Sequence, residues 1–451
     1  MNLGFDTLPA TCDVLVVGAG PAGSAAASVL ARAGLDVVLV DQHAFPRDKV
    51  CGDGLIPDAH HALDRLGVLG EVLAEAQSAG FVGCIAPRGG RVDVPGRLAV
   101  LPRKRLDDIL CRAAVRAGAR MFAPVRFLGT IDESAADKTG GAARAVGAHL
   151  MHGDASHELR ARWVLLATGA VPQALLAAGM ATRHTPSGVA LRGYVKNDAM
   201  VGRISALEIV WHRALTPGYG WIFPCGNGVF NIGAGVADSH GERRNGKLAK
   251  REVNLRELME SFQRVYAPAR ELMQGGELLG PMKGAPLRCT LEGARYTRPG
   301  LLVLGEAAGS TYSFTGEGIG KALETGMLAA EAVLGEATYA RRPADAPVDA
   351  RADTPGDPRV GTHRNTPADT AADARVRAAY EARLLELKPR FDLYQRANLV
   401  NRHPWLTDLL IWRAQRSPRI VRRMSGVLEE TSNPGNLLSA RGFLRLFLDR
   451  Q

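Results

Sequence analysis

A glycine-rich turn near the N-terminus constrains the fold more than any other feature of this sequence. Gly18, Gly20 and Gly23 form a G-x-G-x-x-G pattern. The apolar segment CDVLVV at 12–17 precedes the pattern, and an alanine-rich helical segment follows it. A second apolar segment then ends at Asp41, 21 positions after Gly20. This order of strand, glycine turn, helix and strand predicts the first βαβ unit of a dinucleotide-binding fold.

Each glycine of the turn has its own steric role. Gly18 permits the tight turn, Gly20 lets the backbone approach a pyrophosphate, and Gly23 lets the helix pack closely on the strand. The N-terminus of the helix offers N–H groups and a positive dipole end to an anion. We therefore predict that Gly18, Gly20, Ala22 and Gly23 contact a dinucleotide and that Asp41 accepts hydrogen bonds from its ribose.

Composition assigns the chain to the soluble globular class. Its 451 residues are 46% hydrophobic and 23% charged, which suggests two or three domains. The six cysteines show no C-x-x-C pattern and no metal-ligand spacing, so we predict reduced thiols, no metal and a cytoplasmic location. The apolar stretch at 13–40 contains the glycine turn, which argues against a signal peptide or a membrane span.

A second glycine-rich motif lies late in the chain. Residues 301–320 read LLVLGEAAGSTYSFTGEGIG. This segment resembles the second flavin motif of the hydroxylase-like flavoproteins, GDAAG…P…GEGI, with Glu306 at the usual aspartate and Ser313 near the usual proline. The resemblance implies FAD, with Gly305 and Glu306 at its ribityl or ribose hydroxyls. It also implies that a helix beginning near Gly316, Gly318 and Ile319 faces the pyrimidine edge of the flavin.

Together the two motifs predict an α/β fold in which a nucleotide-binding domain is completed late in the chain. Residues 187–236 alternate as strands do, which predicts a second sheet. We expect a discontinuous Rossmann-like FAD-binding domain with an inserted antiparallel β-sheet substrate domain and a C-terminal helical region. The predicted ranges are 10–78, 101–182 and 292–336 for the first domain, 79–100 and 183–291 for the second, and 374–451 for the helical region.

Residues 338–373 differ from their surroundings in composition. They contain five prolines and almost no large apolar side chains. Such a segment buries too little surface to offset its ordering entropy, so we predict a disordered loop.

Three further segments narrow the resemblance to one family. FPRDKVCGDG at 45–54 is similar to the FPR-x-K-x-CG segment of the geranylgeranyl reductase family. PGYGWIFP at 217–224, followed by NIGAG at 231–235, is similar to the family's PGYGWIFP…NVGxG sheet. Arg103, Leu106, Asp107 and Leu110 match the start of its R-x-x-F-D-x-x-L helix. The chain therefore resembles this family from residue 12 to about residue 335.

The resemblance implies an FAD-dependent oxidoreductase that reduces carbon–carbon double bonds in isoprenoid or other apolar chains. It places Arg47 and Arg103 at FAD phosphates or ribose, and Cys51 and Gly52 beside the isoalloxazine. Tyr219, Trp221 and Phe223 are implied to line the substrate side, where a flat apolar surface suits an apolar substrate. Core packing in the second sheet remains the alternative for Trp221 and Phe223.

Cys51 has two interpretations. A thiol beside a flavin could donate a proton to a substrate carbon after hydride transfer, and Arg47 and Lys49 nearby are expected to lower its pKa. The alternative is a small packing residue.

The electron donor and the reaction type are less constrained. The sequence has no second G-x-G-x-x-G with a ribose-binding residue, so NAD(P)H or reduced ferredoxin is expected to act as a transient donor. A flavin-dependent monooxygenase acting on an aromatic or polyketide substrate is the main alternative. Related hydroxylases carry Ala-Asp-Gly where this chain has Ala167-Thr168-Gly169, which argues against it. A flavin-binding lipid carrier without redox turnover is a third hypothesis.

The C-terminal region carries most of the excess positive charge. Residues 375–451 contain fifteen Arg or Lys and seven Asp or Glu, in a chain whose net charge is +10. No nucleic-acid-binding motif is present, and the arginines alternate with Leu, Ile and Trp, so we predict no nucleic-acid partner. Residues 405–451 suit either a peripheral membrane contact or a helical layer that packs over the substrate domain.

Overall fold

The computed structural model describes residues 3–133, 143–237, 242–244, 247–249, 253–340 and 367–430. Within these residues the strands are β1 Thr11–Val17, β2 Val37–Val40, β3 Gly54–Leu55, β4 Gln77–Ile85, β5 Arg91–Val100, β6 Arg120–Phe122, β7 Arg126–Glu133, β8 Arg144–His152, β9 Ala155–Leu166, β10 Gly188–Lys196, β11 Leu207–Val210, β12 Gly218–Gly226, β13 Val229–Ala237, β14 Glu242–Arg244, β15 Lys247–Ala249, β16 Glu277–Leu278, β17 Lys283–Leu287, β18 Thr297–Arg298 and β19 Leu301–Val303.

The helices of the described residues are α1 Pro21–Arg32, α2 Pro57–Arg65, α3 Leu69–Glu75, α4 Arg103–Arg116, α5 Gln173–Ala177, α6 Leu255–Val265, α7 Ala267–Gln274, α8 Ile319–Ala340, α9 Pro367–Ala397, α10 Leu399–Arg402, α11 Trp405–Ala414 and α12 Pro418–Leu428. None of these helices is long and apolar enough to span a bilayer.

The first sheet has a parallel centre. Its strand order is β18-β19-β9-β1-β2-β6, and β1 pairs in parallel with both β2 and β9. Val14 to Val17 in β1 and all of β2 are buried, as expected for parallel strands covered on both faces. Helices α1, α4 and α8 supply one of the covering layers. The predicted α/β class is confirmed.

Helix α1 begins directly after the glycine turn. Pro21 occupies its first turn, where the missing N–H is not needed. A Cβ at Gly23 would lie 1.8 Å from the carbonyl oxygen of Gly18, so the close approach of helix to strand requires glycine there. The turn is thereby placed at the carboxyl end of β1.

The second sheet is mostly antiparallel, with strand order β16-β10-β13-β12-β11-β4-β5-β3. The chain enters it twice, first through β3 to β5 and again through β10 to β13, β16 and β17, while β14 and β15 pair with each other. The short strand Gly54–Leu55 pairs with β5, although we had placed these residues in the nucleotide-binding domain. This pairing puts the segment after Cys51 at the junction of the two sheets.

The C-terminal region begins with one long helix. Helix α9 has 31 residues, and the short helices α10, α11 and α12 follow it. Its inner side chains Val376, Tyr380, Leu384 and Phe391 are buried in the core of the nucleotide-binding domain, against α8. The long helix therefore follows from tertiary burial, because its apolar residues show little periodicity of their own.

The loop predicted at 338–373 is too long at both ends. Residues 338–340 belong to α8, and 367–373 belong to α9. The remaining residues, 341–366, lie outside the described part of the chain, as do 431–451 of the predicted helical region.

Candidate active site

A single cavity of about 1010 Å³ joins the two sheets and the C-terminal helices. The glycine turn, the 45–54 segment and the 305–319 segment line one part of it. Apolar side chains of the second sheet and of α11 and α12 line the other part. Residues of two separate sequence motifs and of the second sheet therefore line the same cavity.

Gly18 and Gly20 border the polar part of the cavity. Gly18 has φ +103°, and a Cβ there would lie 2.4 Å from the carbonyl oxygen of Ala167. A Cβ at Gly20 would instead lie 3.6 Å from Nη2 of Arg47 and 3.7 Å from Nη2 of Arg103. Both guanidinium groups thus lie beside the turn, as expected of groups that bind a pyrophosphate.

A buried aspartate pairs with both guanidinium groups. Asp107 accepts hydrogen bonds from Arg103 at 2.6 and 2.8 Å, and from Arg47 at 2.9 Å. Its side chain has no solvent exposure. Asp107 belongs to the helix motif seen in the sequence, but its contact with Arg47, 60 residues away, was not predicted.

Asp41 lines the cavity, but protein donors already surround it. Its Oδ2 accepts a hydrogen bond from the N–H of Ala19 at 3.0 Å and from Arg47 at 3.3 Å. Its Oδ1 accepts from the N–H of His43 at 2.9 Å. Although burial opposes ionisation, these donors and the Arg47 charge lower the pKa of Asp41 below its usual value. Its contact with a ribose stays a prediction.

The second glycine-rich motif lies directly beside the first. Gly305 has φ +63° and begins a short 3-10 turn, Gly305–Ala308, in which the half-buried Glu306 lines the cavity. A Cβ at Gly305 would lie 2.6 Å from the Cβ of Ala22. Gly316, Gly318 and Ile319 also line the cavity, and α8 begins at Ile319.

The N-terminus of α8 is capped by a buried carboxyl group. The N–H of Gly320 donates to Oε1 of Glu317 at 2.9 Å, while Oε2 has no hydrogen-bond partner within the part of the chain that the structure describes. Burial, reinforced by the negative charge of Asp58, raises the pKa of Glu317 to about 8. The sequence suggested no such role for Glu317.

Cys51 lies in the cavity between the two domains. Its carbonyl oxygen accepts hydrogen bonds from Asn231 at 2.8 Å and from Arg192 at 3.3 Å, and its Sγ accepts one from the N–H of Asp53 at 3.3 Å. Burial and the Asp53 charge raise the pKa of the Cys51 thiol above its usual value. Our expectation that Arg47 and Lys49 would lower it is therefore wrong, because desolvation outweighs the nearby positive charges.

Five aromatic side chains form one side of the apolar part, and we call them the aromatic wall: Trp211, Tyr219, Trp221, Phe223 and Phe314. Three of them alternate along β12 and therefore point to the same face. The rings of Tyr219 and Trp221 are 6.3 Å apart, and those of Trp211 and Phe314 are stacked at 6.5 Å. The predicted trio thus lines the cavity, and the other two rings were not predicted.

The C-terminal helices complete the apolar part. Leu410 and Ile411 of α11, with Val427 and Leu428 near the end of α12, line the cavity. Asn401 connects these helices to the aromatic wall: its Oδ1 accepts from Trp211 at 2.7 Å and its Nδ2 donates to the carbonyl of Phe314 at 3.0 Å. The C-terminal region therefore packs over the substrate domain.

Comparison with known proteins decides the family. A family model described as an FAD binding domain matches residues 11–252. The chain is 37% identical to a menaquinone reductase of Mycolicibacterium smegmatis, over 71% of this chain and 75% of that protein. It is 30% identical to a digeranylgeranylglycerophospholipid reductase of Methanosarcina mazei, over 71% and 74%. The chain belongs to the FAD-dependent geranylgeranyl reductase family.

The fold of this reductase family member agrees with a solved structure. A geranylgeranyl bacteriochlorophyll reductase-like protein of Thermoplasma acidophilum superposes with a TM-score of 0.67 at 21% identity, covering 97% of this chain and 96% of that one. The family model and the reductase relatives, and not this structural likeness, make the chain an FAD-dependent oxidoreductase of the reductase type.

The polar part of the reductase cavity fits FAD. The Thr168 and Ser313 hydroxyls line the cavity, and each is buried without a hydrogen-bond partner among the described residues. Buried polar groups of this kind need a partner, and a ligand with a polar edge would supply it. Gly18, Gly20, Arg47 and Arg103 would hold the pyrophosphate, and FAD bound here would supply hydride transfer.

Residues missed by the sequence analysis share one property. Arg192 and Asn231 contact the 51–53 segment, to which Asp53 belongs. More than 130 residues separate Asp53 from each of these two partners. Asp53 and Asn231 lay within motifs quoted for the family, which was the available signal. An aspartate or an asparagine in a sequence does not indicate such a role until the structure shows which residues it contacts.

Proposed function

We propose that this reductase uses reduced FAD to saturate carbon–carbon double bonds in the isoprenoid chain of an apolar lipid, with NAD(P)H or reduced ferredoxin as the transient electron donor. The continuous cavity carries this proposal. Its polar part suits a dinucleotide, and its apolar part, lined by the aromatic wall and the C-terminal helices, suits a long hydrocarbon chain. The names of the relatives, which include a menaquinone and a polyprenyl lipid, support this substrate class.

Each part of the site has a distinct task in this reaction. FAD, when bound and reduced, supplies the hydride. The aromatic wall holds the isoprenoid chain flat without needing polar partners, and the surrounding apolar side chains exclude water. In this proposal Cys51, which lines the same cavity, donates the proton that the second carbon needs.

An anaerobic reaction tests the proposal. The FAD-loaded protein is reduced with dithionite or NADPH, and then a menaquinone with a polyprenyl tail, or geranylgeranyl diphosphate, is added. We expect the flavin to reoxidise without oxygen and the lipid to gain hydrogen in pairs. Because quinone-ring reduction also adds two hydrogens, the menaquinone product is exposed to air before mass spectrometry. Only side-chain saturation keeps the added mass.

Other outcomes would redirect the assignment. A flavin that stays reduced until air is admitted, with a product that gains one oxygen atom, would support the monooxygenase alternative. A menaquinone product that loses its added mass in air would indicate ring reduction. Bound FAD that no donor reduces would support the lipid carrier.

We further propose that α11 and α12 bring the cavity to an anionic bilayer. Trp405 and Trp412 are 60% and 46% exposed on α11, while the opposite side of that helix lines the cavity. Arg416 lies over the ring of Trp412, and Arg419 and Arg422 are exposed on α12. Tryptophan and arginine together suit a membrane interface.

Vesicle sedimentation tests the membrane contact. We expect the double variant W405A/W412A to lose at least ~10-fold in binding to vesicles that contain anionic lipid, and to unfold at the same urea concentration as the original chain. The matched control is L385A, which removes an exposed apolar side chain from α9. Equal loss in the control, or unchanged binding by the double variant, would contradict the proposal.

A further inference from the structure

The segment from Cys51 to Asp53 is held by an unusual number of hydrogen bonds. Asn231 Nδ2 donates both to the carbonyl of Cys51 at 2.8 Å and to Oδ2 of Asp53 at 2.7 Å. Asn231 is oriented in turn by Trp221, whose indole N–H donates to its Oδ1 at 2.9 Å. The second sheet therefore fixes the backbone at Cys51 through Asn231, and the N–H of Asp53 donates to Sγ of Cys51 at 3.3 Å.

Asp53 is the centre of this arrangement. It has no solvent exposure, and its φ of +65° is rare for a residue with a side chain. Its Oδ2 also accepts from the Tyr194 hydroxyl at 2.5 Å, and its Oδ1 accepts from the N–H of Arg103 at 3.2 Å. Three donors from three elements thus surround one buried carboxyl group beside Cys51.

We propose that Asp53 is a positioning residue that holds the Cys51 side chain in place and keeps it as a protonated thiol, so that Cys51 serves as a proton donor and not as a thiolate nucleophile. The use of that proton rests on the proposed reductase function. The effect of Asp53 on the thiol does not, because it follows from the hydrogen bonds and charges of the protein alone.

The charges around Cys51 come from several elements. The Asp53 carboxyl group disfavours the thiolate, whereas Arg103 of α4 and Lys49 favour it. Arg103 pairs with Asp107, so part of its charge is compensated. Arg192 of β10 pairs with Asp48, and Tyr219 of β12 is a neutral neighbour whose own pKa burial raises. The N–H of Asp53 that donates to Sγ also favours the thiolate, but burial and the Asp53 carboxylate together outweigh these groups and raise the pKa of Cys51.

The proton transfer balances within the proposed reaction. One carbon of the double bond receives hydride, and the S–H bond of Cys51 breaks as its proton forms a C–H bond at the other carbon. The sulfur keeps the electron pair as a thiolate. Because that thiolate lies buried beside Asp53, it takes a proton from water when the product leaves. A protonated thiol also resists oxidation, since oxidation begins at the thiolate.

Alkylation of the full-length protein tests this proposal without any substrate. Iodoacetamide labelling is followed at each cysteine by peptide mass spectrometry over pH 6–10. We expect labelling of Cys51 in the original chain to rise steadily with pH and reach no plateau below pH 9. In D53N we expect Cys51 at pH 8 to react at least ~10-fold faster, because a thiol pKa lowered by one unit gives ten times more thiolate. Cys84 of β4, whose neighbouring charges are Asp93 and Arg91 and not Asp53, is the internal reference.

Two variants separate the charge effect from a structural one. D53E keeps the carboxylate and should retain the original pH profile at Cys51. D64N makes the same exchange at an exposed aspartate of α2 and should leave that profile unchanged. A changed accessibility would alter the rate equally at every pH, whereas loss of the charge moves the profile along the pH axis.

Three outcomes would overturn the proposal. These are a Cys51 plateau below pH 8 in the original chain, an unmoved profile in a folded D53N, and an equal shift in D64N. The first needs no variant, so the proposal remains testable if D53N does not fold. Failure of isoprenoid reduction with the expected alkylation profile would instead contradict the proposed function and leave the role of Asp53 intact.

Discussion

At the scale of single residues, Gly20 is a position at which we expect glycine to matter for ligand binding and not for folding. A Cβ at Gly20 would meet only the ends of Arg47 and Arg103, at ordinary contact distance, and its backbone has negative φ. We therefore expect G20A to fold normally but to bind FAD at least ~10-fold more weakly, about 1.4 kcal/mol, because the methyl group occupies space that the pyrophosphate needs. FAD titration with fluorescence detection measures this.

The control for this variant is G70A, since Gly70 has open space around it in α3. G70A should leave FAD binding unchanged. A G20A protein that binds FAD as tightly as the original chain would show that the pyrophosphate does not lie at this turn.

Glu317 gives the unfolding free energy a dependence on pH. Burial raises its pKa to about 8 from an ordinary value of 4.5, so the folded protein keeps a proton that the unfolded chain has released. Its stabilising effect is complete below the unfolded pKa and is lost as pH rises through the folded pKa. We expect the unfolding free energy to fall by about 1 kcal/mol between pH 7 and pH 8, and E317Q to remove most of that slope.

Urea titrations without FAD measure this slope. Burial also raises the pKa of Asp53 and Asp58, but only to about 6, so their contributions fall mainly below pH 7. The matched control is E331Q, which alters a partly exposed glutamate on the same helix. An equal slope in E317Q and the original chain would rule out Glu317 as its source.

At the scale of elements, one lysine joins three segments of the chain. Lys321 on α8 is almost fully buried and pairs with Asp58 of α2 at 2.9 Å, Glu324 of its own helix at 2.7 Å, and Glu430 after α12 at 3.1 Å. Glu430 also accepts from Tyr312 and pairs with Arg390 of α9. The C-terminal helices are thus fixed to the start of α8, which borders the cavity.

Removing the Lys321 charge should therefore destabilise the protein strongly. K321M leaves the largely buried Asp58 carboxyl group without its cation and removes one of the two cations beside Glu430, which costs about 3–5 kcal/mol of unfolding free energy. K283M removes a half-exposed lysine that pairs with Asp48, and should cost about 0–1 kcal/mol. Urea unfolding compares the two. A K321M loss as small as that of K283M would mean that the cluster does not hold these elements together.

At the scale of the whole molecule, the two parts of the cavity should be separable by substitution. Leu410 of α11 lines the apolar part, far along the chain from the FAD motifs. We expect L410W to fill that part and lower kcat/KM for a long isoprenoid substrate at least ~10-fold, while FAD affinity stays unchanged, because the two ligands use different lining residues.

The control is L385W, which adds the same bulk to a leucine that is 59% exposed on α9. It should leave both measurements unchanged. Loss of FAD binding in L410W, or full turnover of the long substrate, would contradict this division of the cavity.

The sequence by itself determined the fold class and the cofactor part of the site. Buried strands, the G-x-G-x-x-G turn and the acidic residue after β2 are local patterns, and each follows from the geometry of a few neighbouring residues. The second glycine-rich motif and the Cys51 segment resemble motifs of known flavoproteins, and this resemblance indicated the family. The trio on β12 also followed from local alternation, because side chains two residues apart share a face of a strand.

Tertiary structure alone decided which residues far apart in the sequence become hydrogen-bond or ion-pair partners. Asn231 reaches the Cys51 segment, Asn401 reaches the aromatic wall, and Glu430 reaches Lys321, each over at least 87 residues. The pKa of the Cys51 thiol is raised and not lowered, contrary to our expectation, for the same reason. Neighbouring Lys49 and Arg47 are visible in the sequence, but the burial that outweighs them exists only once two sheets and the C-terminal helices enclose one cavity.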